Sequence, residues 1–263
     1  MTSNQNNKDT IEFFEKNNYF NYPKEKITFF IQGELPMIDT NGKILLNEKG
    51  LINFGANGHG GVFESMLEGN IIEDIKQKNI KWIFIGGVDN ILVKMVDPIF
   101  IGLCVEKKCL AAGKSLVKAY PEEKVGSFCI RNGKPSVIEY TEISEEMANL
   151  KDKKENLLYG ESHILCNMFN IERIEDIAQK KLPYHVAFKK AKHMNEEAKI
   201  INPEEPNAYK FETFIFDAFS SLNNMLVMRI KREEEFAPVK NRRGIDSPET
   251  ARELYNKKYG TEE

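Results

Sequence analysis

The sequence predicts an α/β protein, and three observations support that prediction. Trp82–Ile85 is a short apolar run that ends at Gly86-Gly87, which is typical of a strand buried on both faces in a parallel sheet. Helical patterns flank this run, over Val62–Lys78 before it and Met95–Glu106 after it. The 263 residues, 41% hydrophobic and 29% charged, suit a globular domain with a sizeable core. We expect a single domain over residues 1–263.

Composition and charge exclude several classes of protein. A formal net charge of −3 provides no basic field for nucleic acid. No run approaches the roughly 18 apolar residues of a membrane span, and MTSNQNNKDT lacks the features of a signal peptide. The cysteines show no zinc or disulfide spacing, so we expect reduced core residues in a cytoplasmic protein; they are Cys104, Cys109, Cys129 and Cys166.

The first third of the chain predicts a helix, a strand and a turn before its glycine-rich stretch. The helix is expected over Thr10–Tyr19, and the strand Ile27–Ile31 brings Gln32 into a loop. Asn41-Gly42 indicates a hairpin turn before Lys43–Leu46.

The stretch Asn53–Val62 reads NFGANGHGGV and places His59 among four glycines, directly before a predicted helix. A glycine-rich turn that opens a helix can present backbone N–H groups to an anion. Glycines at helix starts are also common for structural reasons alone, so both interpretations stay open.

The segment after the central strand carries a carboxylate and an amide, Asp89 and Asn90. Open α/β sheets bind ligands at the carboxyl ends of their strands. Gly86 and Gly87 allow a ligand or backbone to approach closely. A plain glycine-containing turn without chemistry is the alternative.

The second half predicts further strands and helices. We expect strands over Ala111–Lys118, Ser162–Phe169, His185–His193 and Leu226–Ile230, a hairpin around Asn132-Gly133, and a helix over Ile171–Gln179. Ser247-Pro248 indicates the start of the last helix. The apolar spacing of Lys210–Leu222 predicts a helix whose first residue, Lys210, would oppose the helix dipole unless an anion lies nearby.

Taken in order, these segments resemble the eukaryotic-type UDP-N-acetylglucosamine pyrophosphorylases, within the UTP–sugar-1-phosphate uridylyltransferase family. The matching segments run from about Met1 to about Tyr259 and include GANGHGG, GGVDNILVKMVDPIFIG, KAYPEEKVG, VIEYTEI, ILCNMF, REEEFAPVKN and SPETAR. The resemblance implies a Rossmann-like, GT-A-like nucleotidyltransferase fold, with a mixed, mostly parallel sheet and flanking helices. It also implies that UTP and a sugar 1-phosphate are joined into UDP-sugar and pyrophosphate with Mg²⁺.

The resemblance also implies roles for individual residues. Gln32 and Gly58 match the uracil-binding positions, and His59 stands where the N-acetylglucosamine enzymes usually have asparagine and the UDP-glucose enzymes often have histidine. Asp89 matches the aspartate that contacts metal and nucleotide, and Lys210 and Lys240 match phosphate-facing lysines. The sugar-binding positions match Gly126, Glu139, Tyr140 and Asn167, with His163 as the alternative to Asn167 because the segment differs by one residue in length.

The implied chemistry needs no protein nucleophile, because the sugar phosphate attacks the α-phosphorus directly. The protein contributes positioning and charge neutralisation. Magnesium accepts a single carboxylate together with phosphates, which Asp89 could offer. Lysines are suitable point charges for phosphate.

The family's loop L-x-G-G-x-G-T-R-L-G, which follows its first strand, is not found in residues 1–263. The resemblance therefore implies an N-terminally truncated domain. Three interpretations stay open: a uridylyltransferase completed by a second chain, a non-catalytic UDP-sugar-binding module, and a remnant without ligand. The absence of a first β-α unit would expose a strand edge, so we expect self-association or a need for a partner.

Overall fold

The computed structural model describes residues 1–260. The chain divides into two compact units, the first formed by Met1–Lys78 and Glu175–Ala218, the second by Asn79–Ile174 and Phe219–Glu263. Two compact units can belong to one domain, so the single-domain prediction stays a prediction. Among the described residues no helix is long and apolar enough to cross a membrane.

The elements follow in chain order. The helices are α1 (Asn7–Lys16), α2 (Val62–Glu68), α3 (Ile71–Gln77), α4 (Pro98–Glu106), α5 (Glu145–Ala148), α6 (Ile171–Ala178), α7 (Arg232–Glu235) and α8 (Pro248–Tyr259). The strands are β1 (Glu34–Pro36), β2 (Ile38–Asp39), β3 (Phe54–Ala56), β4 (Trp82–Gly86), β5 (Ala111–Val117), β6 (Gly126–Arg131), β7 (Lys134–Ile138), β8 (Glu161–Asn170), β9 (His185–Lys189), β10 (His193–Met194), β11 (Ile200–Ile201), β12 (Ala208–Glu212) and β13 (Leu226–Arg229).

The first unit is built on a small antiparallel sheet in which β12 lies between β2 and β9. Two further pairs, β1 with β3 and β10 with β11, belong to the same unit. Met37, Leu45, Ala191 and Ala208 form a buried apolar cluster beside the sheet. The predicted turn at Asn41-Gly42 is confirmed, with Gly42 at φ 81°.

Three predictions for the first unit are wrong. Ile27–Ile31 forms no strand and contributes a single bridge, from Ile31 to Thr2. The helix predicted over Val62–Lys78 is two helices, because the chain turns at Asn70, whose φ is 58°. Lys210–Leu222 is not a helix: Lys210 lies on β12, and a 3₁₀ helix follows over Ile215–Ser221. Pairing with β2 and β9 overrides the helical spacing of the phenylalanines.

The second unit contains a mixed sheet in the order β13-β5-β8-β6-β7, with β4 paired to β8 as well. The α/β class and the mixed sheet are confirmed. The predicted predominance of parallel pairs is wrong, because β8 runs antiparallel to β4, β5 and β6. The pair β5–β13 is parallel, and β4 points in the same direction as β5 since both oppose β8.

The central strand β4 lies where the sequence predicts it, but its surroundings differ from the prediction. Its four apolar residues, Trp82–Ile85, are half-buried instead of fully buried. Trp82 and Phe84 pack against Phe100 and Cys104 of α4. The partial exposure of these residues follows from the strand's position, since within residues 1–260 β4 has a neighbouring strand on one side only.

A buried charge cluster joins three elements of the second unit. Lys114 on β5 has no exposed surface, and its Nζ donates to Asp97 Oδ2 at 2.8 Å and to a carboxylate oxygen of Glu235 on α7. Asp97 also caps α4 by accepting from the backbone N–H of Ile99. Burial acts to raise the pKa of Asp97, but the hydrogen bond and charge of Lys114 outweigh it, so this pKa lies below its usual value.

We predict that Lys114→Met lowers the free energy of unfolding by about 3–5 kcal/mol, because two buried carboxylates lose their cation. The difference from the wild type should shrink as the pH falls through the range in which Asp97 becomes neutral, because the wild type then loses the contribution of its lowered pKa. Urea titrations followed by the fluorescence of Trp82, the single tryptophan, measure both effects.

The matched control is Lys107→Met, since Lys107 is exposed and its carboxylate partner, Glu106, is exposed too. A loss at Lys114 no larger than the loss at Lys107 would contradict the role of the cluster.

Candidate functional site

Three predicted residues of the first unit lie together. The side-chain Nε2 of Gln32 donates to the carbonyl oxygen of Gly58 at 2.6 Å, and His59 follows directly. The 3₁₀ turn His59–Gly61 then leads into α2. The structure therefore brings the predicted uracil-binding pair, Gln32 and Gly58, into contact.

Close packing explains two of the glycines in NFGANGHGG. A side chain at Gly58, whose φ is 84°, would place its Cβ 2.3 Å from the carbonyl oxygen of Thr213. A Cβ at Gly60 would come within 2.8 Å of the backbone of Phe214. These contacts are a sufficient structural reason for both glycines, so the glycine run does not by itself argue for anion binding. The anion hypothesis stays a prediction.

His59 is held as a neutral imidazole. Its Nδ1 accepts a hydrogen bond from the backbone N–H of Ile215 at 3.1 Å, and its ring lies 5.2 Å from that of Phe214. Burial lowers its pKa to about 4, against an opposing effect of Glu212, and the nearby His185 lowers it further. Because Nδ1 is an acceptor, the proton of the neutral ring is on Nε2, which leaves a donor for a ligand.

Lys210 has a different setting from the one that the sequence predicts. It lies on β12, not at a helix start, so the argument from the helix dipole does not apply. Its Nζ pairs with Glu212 Oε1 at 2.7 Å, with both side chains about three-quarters buried, and its methylenes pack against Gly55. A phosphate at this lysine would have to compete with Glu212.

In the second unit, Asp89 and Lys240 are brought close together by their backbones. The N–H of Val239 donates to the carbonyl oxygen of Asp89 at 2.9 Å, and Lys240 is the next residue. Asn90 fixes this arrangement, because its side chain donates to Glu235 O at 2.7 Å and accepts from Ala237 N at 2.9 Å. Lys240 is exposed and lies outside the ion pairs found among residues 1–260.

The predicted sugar-binding residues also gather in the second unit. His163 lies opposite Gly126 across the β6–β8 pair, and its Nε2 is 3.1 Å from Asn167 Oδ1. Both side chains are buried, and Asn167 Nδ2 has no hydrogen-bond partner among residues 1–260. A Cβ on Gly126 would meet Val137 at 2.6 Å and Glu139 Oε1 at 3.3 Å. The two alternatives for the sugar-contacting residue, His163 and Asn167, are thus neighbours in one cluster.

β8 connects this cluster with the strand that ends before Asp89. Gly86 pairs with Cys166 and Gly126 pairs with His163, on the same side of β8. Three residues of a strand span about 10 Å, so the end of β4 and the sugar cluster are neighbours. Between them Leu165 has φ 49°, and its carbonyl oxygen accepts from Gly87 N at 3.1 Å. At this point β8 has extra residues relative to β5, and they form a bulge.

The predicted site residues therefore form two groups, one in each unit. Gln32, Gly58, His59 and Lys210 belong to the first unit, and Asp89, Gly126, Glu139, Tyr140, His163, Asn167 and Lys240 to the second. Tyr140 is exposed directly after Glu139. Within the second group, Asp89 bonds to Val239, the neighbour of Lys240, and His163 pairs with Gly126 and contacts Asn167.

Sequence reasoning missed the residues that hold these groups in place. The sequence shows Asn90 as a neighbour of Asp89 but not as the residue whose hydrogen bonds hold the adjoining segment. It does not single out Lys114, Asp97 or Glu235. One signal was present: a lysine in the middle of the apolar run AAGKSLV indicates a buried partner. That this partner would be Glu235, 121 residues away, is not visible in the sequence.

Comparisons with known proteins agree with this fold. The family model for UTP–glucose-1-phosphate uridylyltransferase matches residues 1–247. The UDP-N-acetylglucosamine pyrophosphorylase of Saccharomyces cerevisiae is 37% identical over 98% of this chain and 56% of its own length. UDP-N-acetylhexosamine pyrophosphorylase-like protein 1 of Homo sapiens is 36% identical over 96% of this chain and 51% of its own.

A solved structure from Entamoeba histolytica, a candidate UDP-N-acetylglucosamine pyrophosphorylase, superimposes with a TM-score of 0.88. It is 34% identical and is matched over 98% of this chain and 64% of its own. The fold is therefore that of the nucleotidyltransferases that handle UDP-sugars. The chain belongs to the UTP–sugar-1-phosphate uridylyltransferase family, and it spans about half the length of the curated relatives it matches.

We predict that His59→Ala lowers the free energy of unfolding by about 1–2 kcal/mol at pH 7, because the N–H of Ile215 loses its acceptor. His59→Asn should retain most of the stability, since asparagine Oδ1 can take the place of Nδ1. Urea titrations followed by circular dichroism measure the difference, and equal losses in the two variants would contradict the assigned hydrogen bond.

The pH dependence provides a separate prediction for His59. Its folded pKa, about 4, lies below the unfolded value near 6.5, so protonation favours the unfolded chain. The wild type should therefore lose stability as the pH falls from about 6.5 to 4, and His59→Asn should lose less over that window. Equal slopes for the two proteins would show that His59 is not held neutral.

Proposed function

We propose that this chain is part of a uridylyltransferase that makes a UDP-sugar and pyrophosphate from UTP and a sugar 1-phosphate. The observation that supports it is the second-unit group, in which the carboxylate residue Asp89 bonds by its backbone to Val239, the neighbour of the exposed Lys240, and His163 and Asn167 are buried on β8. Two opposite charges suit a metal and a phosphate, and the buried polar groups suit a hydroxyl-rich ligand. We expect the reaction to take place in the cytoplasm.

The Asp89 carboxylate is a suitable ligand for magnesium. Within residues 1–260 no three His, Cys, Asp or Glu side chains come together as a metal site. Mg²⁺ is often bound by one or two carboxylates, with water and substrate phosphates as its other ligands, so Asp89 alone suffices on the protein side. When bound, the ion would neutralise charge on the phosphates of the nucleotide.

The residues of the chain would position the two substrates and neutralise charge. Gln32 and Gly58 would bind the uracil, and Lys240 would face a phosphate. His163, Asn167, Glu139 and Gly126 would hold the sugar, with Asn167 Nδ2 as a buried donor that has no partner within the described part of the chain. The sugar phosphate oxygen attacks the α-phosphorus of UTP, and pyrophosphate leaves; the charge that develops on the phosphates is stabilised by fixed cations.

For the sugar we propose N-acetylglucosamine, as in the yeast relative's name. Histidine at position 59 favours glucose by residue type, but His59 Nδ1 makes the hydrogen bond that an asparagine Oδ1 could also make. Histidine is therefore no obstacle to the N-acetylated sugar. Because residues 1–263 contain no L-x-G-G-x-G-T-R-L-G loop, we further propose that residues 1–263 alone bind without turnover.

The decisive experiment combines calorimetry and a pyrophosphate-release assay. UDP-N-acetylglucosamine with MgCl₂ should bind this chain, and UTP with N-acetylglucosamine 1-phosphate should release no pyrophosphate. Tighter binding of UDP-glucose than of UDP-N-acetylglucosamine would identify glucose as the sugar, and turnover by residues 1–263 would contradict the proposal of binding without turnover. No binding of either UDP-sugar would contradict the proposed function.

We predict that Asp89→Asn removes the magnesium-dependent part of UDP-N-acetylglucosamine binding, because the amide loses the negative charge that the ion requires. Calorimetry in MgCl₂ and in EDTA measures this part. Glu106→Gln is the matched control, since Glu106 is an exposed carboxylate of the same unit. Equal magnesium effects in wild type and Asp89→Asn would reject the metal role of Asp89.

Lys240→Gln should weaken UDP-N-acetylglucosamine binding roughly tenfold, which is typical for the loss of one charged hydrogen bond. Lys153→Gln is its control, because Lys153 is an exposed lysine of the same unit. Calorimetry at low and high salt measures the effect, which should diminish as salt screens the charge. Equal affinities for the two variants would exclude a phosphate at Lys240.

A further inference from the structure

Lys118 is a buried lysine of the second unit, and it follows directly after β5. Only 6% of its surface is exposed. Its side chain makes no hydrogen bond or ion pair within residues 1–260. Taking an ammonium out of water costs several kcal/mol unless a charge or hydrogen bonds compensate, and buried lysines are therefore almost always paired. The burial of Lys118 requires a compensating group.

The carboxylates that act on Lys118 do not neutralise it. Glu123 is buried and accepts hydrogen bonds from Arg232 Nη2 at 2.8 and 2.9 Å and from Ala119 N at 2.7 Å. Glu122 is exposed to solvent. Burial lowers the pKa of Lys118, and the charges of Glu123 and Glu122 oppose this shift only in part. Since Arg232 balances Glu123, the charge of Lys118 stays in excess.

Two buried hydroxyl groups, those of Ser127 and Ser162, occupy one face of the sheet next to β5. The two serines lie opposite each other across the β6–β8 pair, and residues that lie opposite each other point to the same face. Both oxygens are enclosed, and neither has a hydrogen-bond partner in the described part of the chain. Buried polar groups of native proteins are nearly always bonded to protein, to an ordered water or to an ion.

Lys118 lies on the same face as the two serines. Leu116 lies opposite Ser162 across the β5–β8 pair, and residues two apart along a strand share a face. The pairing continues to Lys118, whose N–H donates to the carbonyl oxygen of Gly160 at 2.9 Å. Leu116 and Lys118 are buried, and Val117 between them is exposed. Diagonal neighbours on adjacent strands are roughly 7–8 Å apart, which is within reach of a long side chain.

α7 covers this part of the sheet. Phe236, the residue after α7, packs against Leu116 and Ile164. Arg232 of α7 donates to the carbonyl oxygen of Val117 at 3.3 Å and lies over the ring of Phe236. The face that carries Lys118 and the serines is therefore enclosed. An ammonium and two hydroxyls in an enclosed place, with an excess of positive charge, suit a small anion and repel a metal cation.

We propose that Lys118, Ser127 and Ser162 bind one small, singly charged inorganic anion, for which chloride is the probe. The Lys118 ammonium neutralises the ion, and the two hydroxyls donate hydrogen bonds to it. A single negative charge matches the single excess positive charge. The bound ion holds the start of the loop that leads from Lys118 to Gly126 and β6. None of the three residues is assigned to the substrates, so the proposal is independent of the proposed function.

The test is thermal unfolding of this chain, followed by circular dichroism, in sodium chloride and in sodium gluconate at equal ionic strength. Gluconate is too large for the enclosed site. We expect chloride to raise the unfolding temperature by about 2–4 °C along a saturable curve, as a ligand of the folded chain does. Equal curves in the two salts would overturn the proposal. Stabilisation by phosphate without any effect of chloride would overturn the choice of a singly charged ion.

Lys118→Met should abolish the difference between chloride and gluconate, because the cation is lost. Lys124→Met is the matched control, since Lys124 is an exposed lysine of the same loop, and it should keep the full difference. Ser127→Ala and Ser162→Ala should each raise the half-saturating chloride concentration roughly tenfold, which is typical for the loss of a hydrogen bond to an ion. A chloride effect that persists in Lys118→Met, or unchanged half-saturation in both serine variants, would contradict the assigned ligands.

A crystal structure of the wild type grown in sodium bromide decides the question if Lys118→Met does not fold. We expect an anomalous bromide peak in contact with the Lys118 ammonium and with at least one of the two serine hydroxyls. A water molecule at this place, with no bromide, would overturn the proposal. UDP-sugar binding plays no part in either measurement, so failure of the anion site would leave the proposed function untouched.

Discussion

The arrangement of the second unit depends on one buried interaction, the contact of the Lys114 ammonium with Asp97 and Glu235. Asp97 starts α4, Lys114 lies in the middle of β5, and Glu235 ends α7, so one cation ties together three elements that are distant in sequence. The backbone carbonyl of Glu235 also accepts from Asn90. The segment that carries Lys240 is thereby held against the turn that carries Asp89.

The glycine-rich stretch shows how packing and function can require the same residues. Gly58 and Gly60 lie against the backbone of Thr213 and Phe214, so neither tolerates a side chain. That close approach also places His59 Nδ1 on the N–H of Ile215 and leaves the Gly58 carbonyl facing Gln32. A glycine pattern alone cannot separate the two causes, and the geometry shows that packing is sufficient.

Local signals predicted much of the fold, and long-range pairing explains the errors. β4, β5, the β6–β7 hairpin and the capped start of α8 lie where the sequence places them, because each is specified by nearby residues. Phe211, Phe214 and Phe219 have helical spacing, yet β12 forms because β2 and β9 flank it. Asp89 could be singled out because it follows an apolar strand, whereas the partners of Lys114 could not be predicted, since they lie 17 and 121 residues away.

One residue of length difference leaves His163 and Asn167 as competing positions when the sequence is matched residue by residue. In the structure β8 has a bulge beside them, where Leu165 adopts φ 49° and its carbonyl accepts a hydrogen bond from Gly87 N. His163 Nε2 and Asn167 Oδ1 lie 3.1 Å apart. Both candidate residues therefore occupy the same place in the structure, and a choice between them is not needed. A ligand that approaches Asn167 Nδ2 would do so beside the His163 ring, and the bulge connects that pair to the end of β4 and hence to Asp89.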